Sequence, residues 1–506
     1  MPSTPTDAHR PQRRVRDDQP VPSPAGPGES NGGLPTGHQA TGDPASRHSR
    51  RSLLRAGVLG GGAAALLAAG GLGATGNTAL AAQPSPAAPQ QLQNLFTLSD
   101  LDFETLFAFG SIGYGCAEFG ELATAVNQVN AAGASYQSYY DTFLALAERT
   151  RARADQELAA GHTASARSAY LRASTYYDMC LYFILATSAR AREASAYAAV
   201  QRCWQQASQL FDPPFEPVRI PYGRGWLPGY LLRPDDRPVR RPTVILNNGE
   251  DAQNVTMYSY GGAAAVERGY NALIFEGPGQ GSMLFERQIP FRPDWENVIT
   301  PVVDYLRSQP DVDPWRIVLS GSSLGGELVI RAAAFEHRLA AVVADPGFLS
   351  VWLSWQTGFP PIASLFASGA TKEQVNAAWQ KTIVPALNAV KQFTLAKLSE
   401  GYGRQYLLAA RAGHVFSDLY DLGTTLMKFT CAPVPDRVTA PTLVTAYQDD
   451  QLVIPASKQG SEVYKLLRSR KQYHYSTAAE GAQYHCAPMD PQTRNQAVFS
   501  WLDGIL

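Results

Sequence analysis

Two glycines bracket a pair of serines in the segment Gly321-Ser322-Ser323-Leu324-Gly325. The residues just before it, 316–320, form an apolar β-rich run, and those after it, 327–334, are good helix formers. Strand, G-x-S-x-G and helix in that order make the setting of a nucleophile elbow. The turn is so tight that Gly321 and Gly325 must lack side chains where the backbone doubles back, and the serine between them is held out under strain. Ser322 occupies the x position of the motif, so Ser323 is the candidate nucleophile. The following helix aims its N-terminus at a developing oxyanion, and the Leu324 N–H is an expected donor.

A hydroxyl becomes a nucleophile only beside a base, which a third group must orient. In this setting the acid and the base follow the serine in chain order. Asp450 lies just beyond an apolar run at 442–446 and three residues before Val453. It is the candidate acid, with Asp449 the alternative. His485 follows the run 471–475 at a loop-like distance, on the flexible approach Glu480-Gly481-Ala482, and is the candidate base. His474 falls inside a strand and His414 inside an inserted region, so both are weaker candidates. Cys486 reads as a packing neighbour of His485 rather than as a second nucleophile. The loop Asn247-Asn248-Gly249-Glu250-Asp251 follows the run 243–246. It should supply the second oxyanion N–H, from Gly249 or from Glu250.

These residues need a scaffold. Runs 218–222 and 227–232 read as a hairpin. Further strands are expected over 243–246, 272–275, 316–320, 340–344, 442–446 and 472–475, alternating with helical stretches. That alternation is the mark of a mostly parallel sheet with helices on both faces. With the elbow, it specifies an α/β class chain of the α/β-hydrolase fold over 213–506. A region at about 348–431 interrupts the sheet and reads as a helical cap. Its Trp352, Trp355, Phe359, Phe366 and Trp379 suit core packing, with substrate lining as the alternative. Residues 99–212 carry helical spacing and no strand pattern, so they form an all-helical domain. Gly161 there separates two helices as a C-cap would. Tyr136, Tyr139, Tyr140, Tyr170, Tyr176, Tyr177, Tyr182 and Phe183 either pack these helices or line an aromatic pocket at the seam with the next domain.

The first hundred residues read as address. Residues 1–48 are too poor in large apolar groups to offset ordering entropy and are expected to be disordered. Ser49-Arg50-Arg51-Ser52-Leu53-Leu54, a Gly/Ala-rich stretch and Ala79-Leu80-Ala81 make a twin-arginine export signal over 49–82. A retained anchor is the alternative, and 83–98 is a linker. Export places the chain outside the cytoplasm. The net charge of −1 gives no reason to expect a nucleic-acid partner. Five cysteines without a CxxC pair indicate neither a disulfide framework nor a zinc site. No cofactor or metal is called for. The expected partners are a small-molecule substrate and the twin-arginine export machinery, with a homodimer left open.

Several segments together resemble one branch of this superfamily. They are Gly161-His162-Thr163-Ala164 before Tyr170-Leu171-Arg172-Ala173-Ser174, Phe275-Glu276-Gly277-Pro278-Gly279-Gln280-Gly281, Asp294-Trp295-Glu296, Pro301-Val302-Val303-Asp304-Tyr305-Leu306, and Gly481-Ala482 before His485-Cys486. The chain is similar there, over about 100–506, to the family of 2,6-dihydroxypseudooxynicotine hydrolase and the fungal pigment heptaketide hydrolases. The resemblance implies a Ser–Asp–His hydrolase whose helical N-terminal domain closes over the site. It also implies cleavage of an acyl bond, ketone C–C or ester, on an aromatic or polyketide-like molecule. The export signal and Glu327, where an aromatic is expected, depart from that pattern and bear on the substrate rather than on the triad. An exported esterase, peptidase or acyltransferase of other specificity is the alternative. A non-catalytic binding protein on the same fold is a third reading, disfavoured by the intact set Ser323, Asp450 and His485.

Overall fold

The computed structural model describes residues 94–455 and 457–506. The expected disordered stretch, the export signal and most of the linker lie outside the described residues. No helix among the described residues is long and apolar enough to cross a membrane.

Five helices come first: α1 (Asp100–Ser111), α2 (Phe119–Ala131), α3 (Tyr136–Ala159), α4 (Thr163–Phe183) and α5 (Glu193–Gln209). Ser135 starts α3 by accepting from the Ser138 N–H, while the Ser138 hydroxyl accepts from the Ser135 N–H, a reciprocal capping box. Gly161, at φ 80°, turns the chain from α3 into α4. Of the eight aromatics singled out in the sequence, all on α3 and α4, seven are buried in packing and only Tyr182 keeps partial exposure.

Eight strands then build one sheet: β1 (Glu216–Tyr222), β2 (Gly225–Leu232), β3 (Arg241–Asn247), β4 (Asn271–Phe275), β5 (Val312–Ser322), β6 (Ala341–Asp345), β7 (Thr442–Tyr447) and β8 (Lys471–Ser476). Their order is β1-β2-β4-β3-β5-β6-β7-β8. The β1–β2 and β2–β4 pairings are antiparallel, and every later pairing is parallel. Every residue of β4, β6 and β7 is buried, as strands covered on both faces require. The edge strand β1 instead alternates buried and exposed positions. Each strand expected from the sequence is present; β6 is shifted by one residue against 340–344, and the others are extended by one to six residues.

Between β6 and β7 the insertion folds into short helices, including Val351–Gly358, Pro360–Ala367, Lys372–Ala378, Ala389–Ser399, Arg404–Arg411 and Leu419–Leu426. Its aromatics pack on one another. Trp352 meets Phe366 edge-on, Trp355 tilts over Phe359, and Trp379 stacks on Phe416.

The helical segment shares its core with the rest of the chain. One apolar cluster joins Tyr136, Phe143 and Phe183 to Leu284, Phe285, Phe393 and Leu407. Glu276, at the end of β4, is buried at the same seam. It accepts from Tyr197 Oη at 2.7 Å, Gln201 Nε2 at 3.2 Å, Asn254 Nδ2 at 3.1 Å, and Ser282 N at 2.9 Å and Oγ at 2.6 Å. Burial raises its carboxyl pKa while these donors favour the charged form.

Candidate active site

β5 delivers Ser323 to the elbow and the helix Gly325–Ala333 leaves it. Ser323 has φ 59°, a left-handed conformation that a serine adopts only when its surroundings enforce it. The enforcement is steric. A Cβ on Gly321 would lie 2.1 Å from the Gly325 carbonyl oxygen, and one on Gly325 would lie 2.7 Å from the Asn247 oxygen. The Ser323 N–H donates to the Asp345 carbonyl oxygen at 2.8 Å, which ties the elbow to β6.

Ser323 Oγ stands 2.9 Å from His485 Nε2. His485 Nδ1 lies 3.1 and 3.0 Å from Asp450 Oδ1 and Oδ2. The structure therefore brings together Ser323, Asp450 and His485. Asp450 Oδ1 also accepts the Leu452 and Val453 N–H groups, each at 2.9 Å, so the loop fixes the carboxylate from behind. The Val453 spacing in the sequence reports this turn. Asp449 instead donates its N–H to the Gln483 carbonyl. His474 lies on β8 and His414 is exposed beyond the helix Arg404–Arg411.

His485 and Asp450 are both nearly inaccessible to solvent. Burial pulls against a charged imidazole. The Asp450 carboxylate outweighs that and, with Cys486, holds the His485 pKa well above the ordinary histidine range. The Cys486 thiol donates to the Asp345 carbonyl at 3.5 Å and neighbours His485, and burial pushes its pKa up. All five cysteines are buried and unpaired.

The loop after β3 reaches the elbow as expected. A Cβ on Gly249 would sit 2.7 Å from Ser323 Cβ and 3.0 Å from the Leu324 nitrogen, so only a glycine lets this backbone come so near. The neighbouring Glu250 directs its carboxylate to the Tyr402 hydroxyl of the insertion. Burial, then the charge of Asp251, pushes the Glu250 carboxyl up to about 8.

Two segments singled out in the sequence brace this loop. Gln280, in Gly277-Pro278-Gly279-Gln280-Gly281, accepts the Gly277 N–H at 2.8 Å. Its amide donates to the Asn248 and Gly249 carbonyls at 2.7 and 3.2 Å. Trp295, in Asp294-Trp295-Glu296, donates its indole N–H to Asn247 Oδ1 at 2.8 Å, and Asn247 Nδ2 donates to the Asn248 carbonyl at 2.9 Å.

Two residues beneath the elbow carry no motif. Asp345 is wholly buried and accepts from Thr445 Oγ1 at 2.6 Å, from Arg494 Nε at 2.6 Å and from the Tyr447 hydroxyl. Burial opposes its charge, but Arg494 and these donors hold its pKa below the usual carboxylate value. Arg494 comes from the last helix, Pro491–Asp503.

A β-hairpin leading into a parallel sheet, an elbow after β5, an acid after β7 and a histidine after β8 settle the fold. The chain has the α/β-hydrolase fold. The acetyl xylan esterase (AXE1) family profile matches residues 291–355, which include the elbow. An α/β-hydrolase of Xenoacremonium sinensis, xenA, is 35% identical over 271 residues, covering 51% of this chain and 63% of that protein. The chain thus spans less than two thirds of that relative's length. The 20-hydroxy-prefusarin hydrolase FUS2 of Gibberella moniliformis is 28% identical over 427 residues, covering 82% of this chain and 98% of that protein. Among solved structures, 2,6-dihydroxy-pseudo-oxynicotine hydrolase matches this hydrolase fold with a TM-score of 0.56 and 20% identity, over 78% of this chain and 95% of that one.

Proposed function

We propose that this chain is a serine hydrolase that cleaves an acyl bond, ketone C–C or ester, of an aromatic or polyketide-like small molecule. The observation that carries the reading is the continuous relay from Asp450 through His485 to Ser323 Oγ. In the proposed reaction His485 Nε2 takes the Ser323 proton as Oγ bonds to the substrate carbonyl carbon. The oxyanion rests on the Leu324 N–H and an N–H of the Gly249–Glu250 segment. His485 then gives its proton to the leaving group, and water repeats the sequence on the acyl-enzyme, releasing the acid and restoring Ser323. An ester releases an alcohol. A ketone needs a carbon leaving group stabilised by an electron-rich ring.

The substrate class rests on similarity to a relative named as a 20-hydroxy-prefusarin hydrolase and on the segments that resemble the pigment heptaketide hydrolases. Plain ester hydrolysis is the second reading, favoured by the acetyl xylan esterase match across the elbow. Nitrophenyl esters, acyl-phenol ketones and aminoacyl amides offered to the protein and to Ser323→Ala test both. Turnover of esters or ketones lost in Ser323→Ala supports the reading, and turnover of amides alone rejects it. We also propose export through the twin-arginine route. A reporter fused after residue 82 should leave the cytoplasm, and replacing Arg50 and Arg51 by lysine should retain it.

A further inference from the structure

We propose that Phe103 and Phe107 form the specificity wall of this site, stacking against a planar aromatic ring of the acyl substrate. This rests on the acyl-hydrolase reading and adds the element that recognises the ring. Both residues sit on α1, four positions apart and so on one face. The Phe103 ring lies 6.5 Å from the His485 ring. Phe107 meets Phe103 edge-on at 5.3 Å and tilts over Tyr260 at 5.6 Å. Tyr260 in turn donates its hydroxyl to the Cys486 carbonyl, which fixes the far end of the wall to the histidine loop.

Two observations set these rings apart from ordinary packing. Phe109, on the same helix, packs against the helical core, whereas Phe103 and Phe107 belong to none of the apolar clusters among the described residues. Both keep part of their surface accessible, as does Ser323. Apolar rings left out of the core beside a nucleophile expose faces that a flat ligand can cover, and aromatic pairs favour such offset or edge contacts. Glu104, between them on α1, hydrogen-bonds to Tyr182 and is pushed up to about 8 by burial and by the charge of Asp251.

The test is binding, which does not require turnover. Calorimetric titration with 2-acetonaphthone, a planar aryl ketone, is compared with titration by 2-octanone, an apolar ketone without a ring. Phe103→Ala should weaken 2-acetonaphthone by about fivefold to tenfold, the worth of one aromatic contact. It should leave 2-octanone within about twofold. Phe103→Trp should bind 2-acetonaphthone as the parent does, which separates ring loss from misfolding. Equal weakening of both ketones, unchanged binding in Phe103→Ala, or no binding of 2-acetonaphthone by the parent overturns the proposal. Intact ring selectivity without turnover of any ester or ketone would instead reject the hydrolase reading and leave the wall standing.

Discussion

Ser323 holds a positive φ that its side chain alone would avoid, and it donates its N–H to a carbonyl on β6. Its hydroxyl is thus placed by backbone rather than by rotamer choice. Ser323→Ala should lower kcat by about 10⁴-fold or more while leaving the melting temperature near the parent's. Asp450→Asn should cost about 10⁴-fold in kcat, because the imidazole would lose the partner that sets its tautomer. The pH profile carries a sign. The base must be neutral, and Asp450 draws the His485 pKa above its ordinary value. The acid limb of kcat/KM should therefore fall above the ordinary histidine pKa of about 6.5, and move down in Asp450→Asn. An acid limb that ignores the substitution would show that another group titrates there. At this scale the sequence was most legible. The elbow, the acid and the histidine are short-range patterns, each a few residues beyond a strand.

The elements around the triad act as braces, and these were legible only in part. The segments containing Gln280 and Trp295 stood out as likenesses, but their work, holding the Asn247–Gly249 backbone, follows only from the sheet bringing β3 and β4 together. Gln280→Ala removes the amide that holds the Asn248 and Gly249 carbonyls. It should lower kcat by about 10–100-fold with a much smaller change in KM, as expected for a displaced oxyanion donor. A change confined to KM would assign Gln280 to ground-state binding. The aromatics of α3 and α4 show the limit of composition. Tyr139, Tyr140 and Tyr176 are as ring-rich as any pocket wall, yet they fill the helix core. The ring that reaches His485 comes from α1, where nothing in the spacing distinguishes Phe103 from Phe109.

Across the whole molecule, buried charge couples distant parts. Glu327 is wholly buried, and neither of its carboxylate oxygens finds a hydrogen-bond partner. Burial raises its pKa from the ordinary 4.5 to about 8. Because the folded value is the higher one, the stability this group contributes is complete below the unfolded value and is lost as pH rises through about 8. Glu327→Gln cannot ionise, so its melting temperature should gain on the parent's between about pH 5 and pH 9, and a constant difference would contradict the assignment. Arg494→Met should lower stability by about 3–5 kcal/mol in urea titrations by leaving the buried Asp345 without its cation. This pair was not legible in the sequence, because its members are 149 positions apart and neither sits in a motif.

The Asp345–Arg494 pair also orders events in time. A chain ending at Asp490 would contain Ser323, Asp450 and His485, yet it would lack the cation that steadies the strand end to which Ser323 is tied. During synthesis, then, the strand end behind Ser323 gains its counter-charge only once the helix Pro491–Asp503 has emerged and docked.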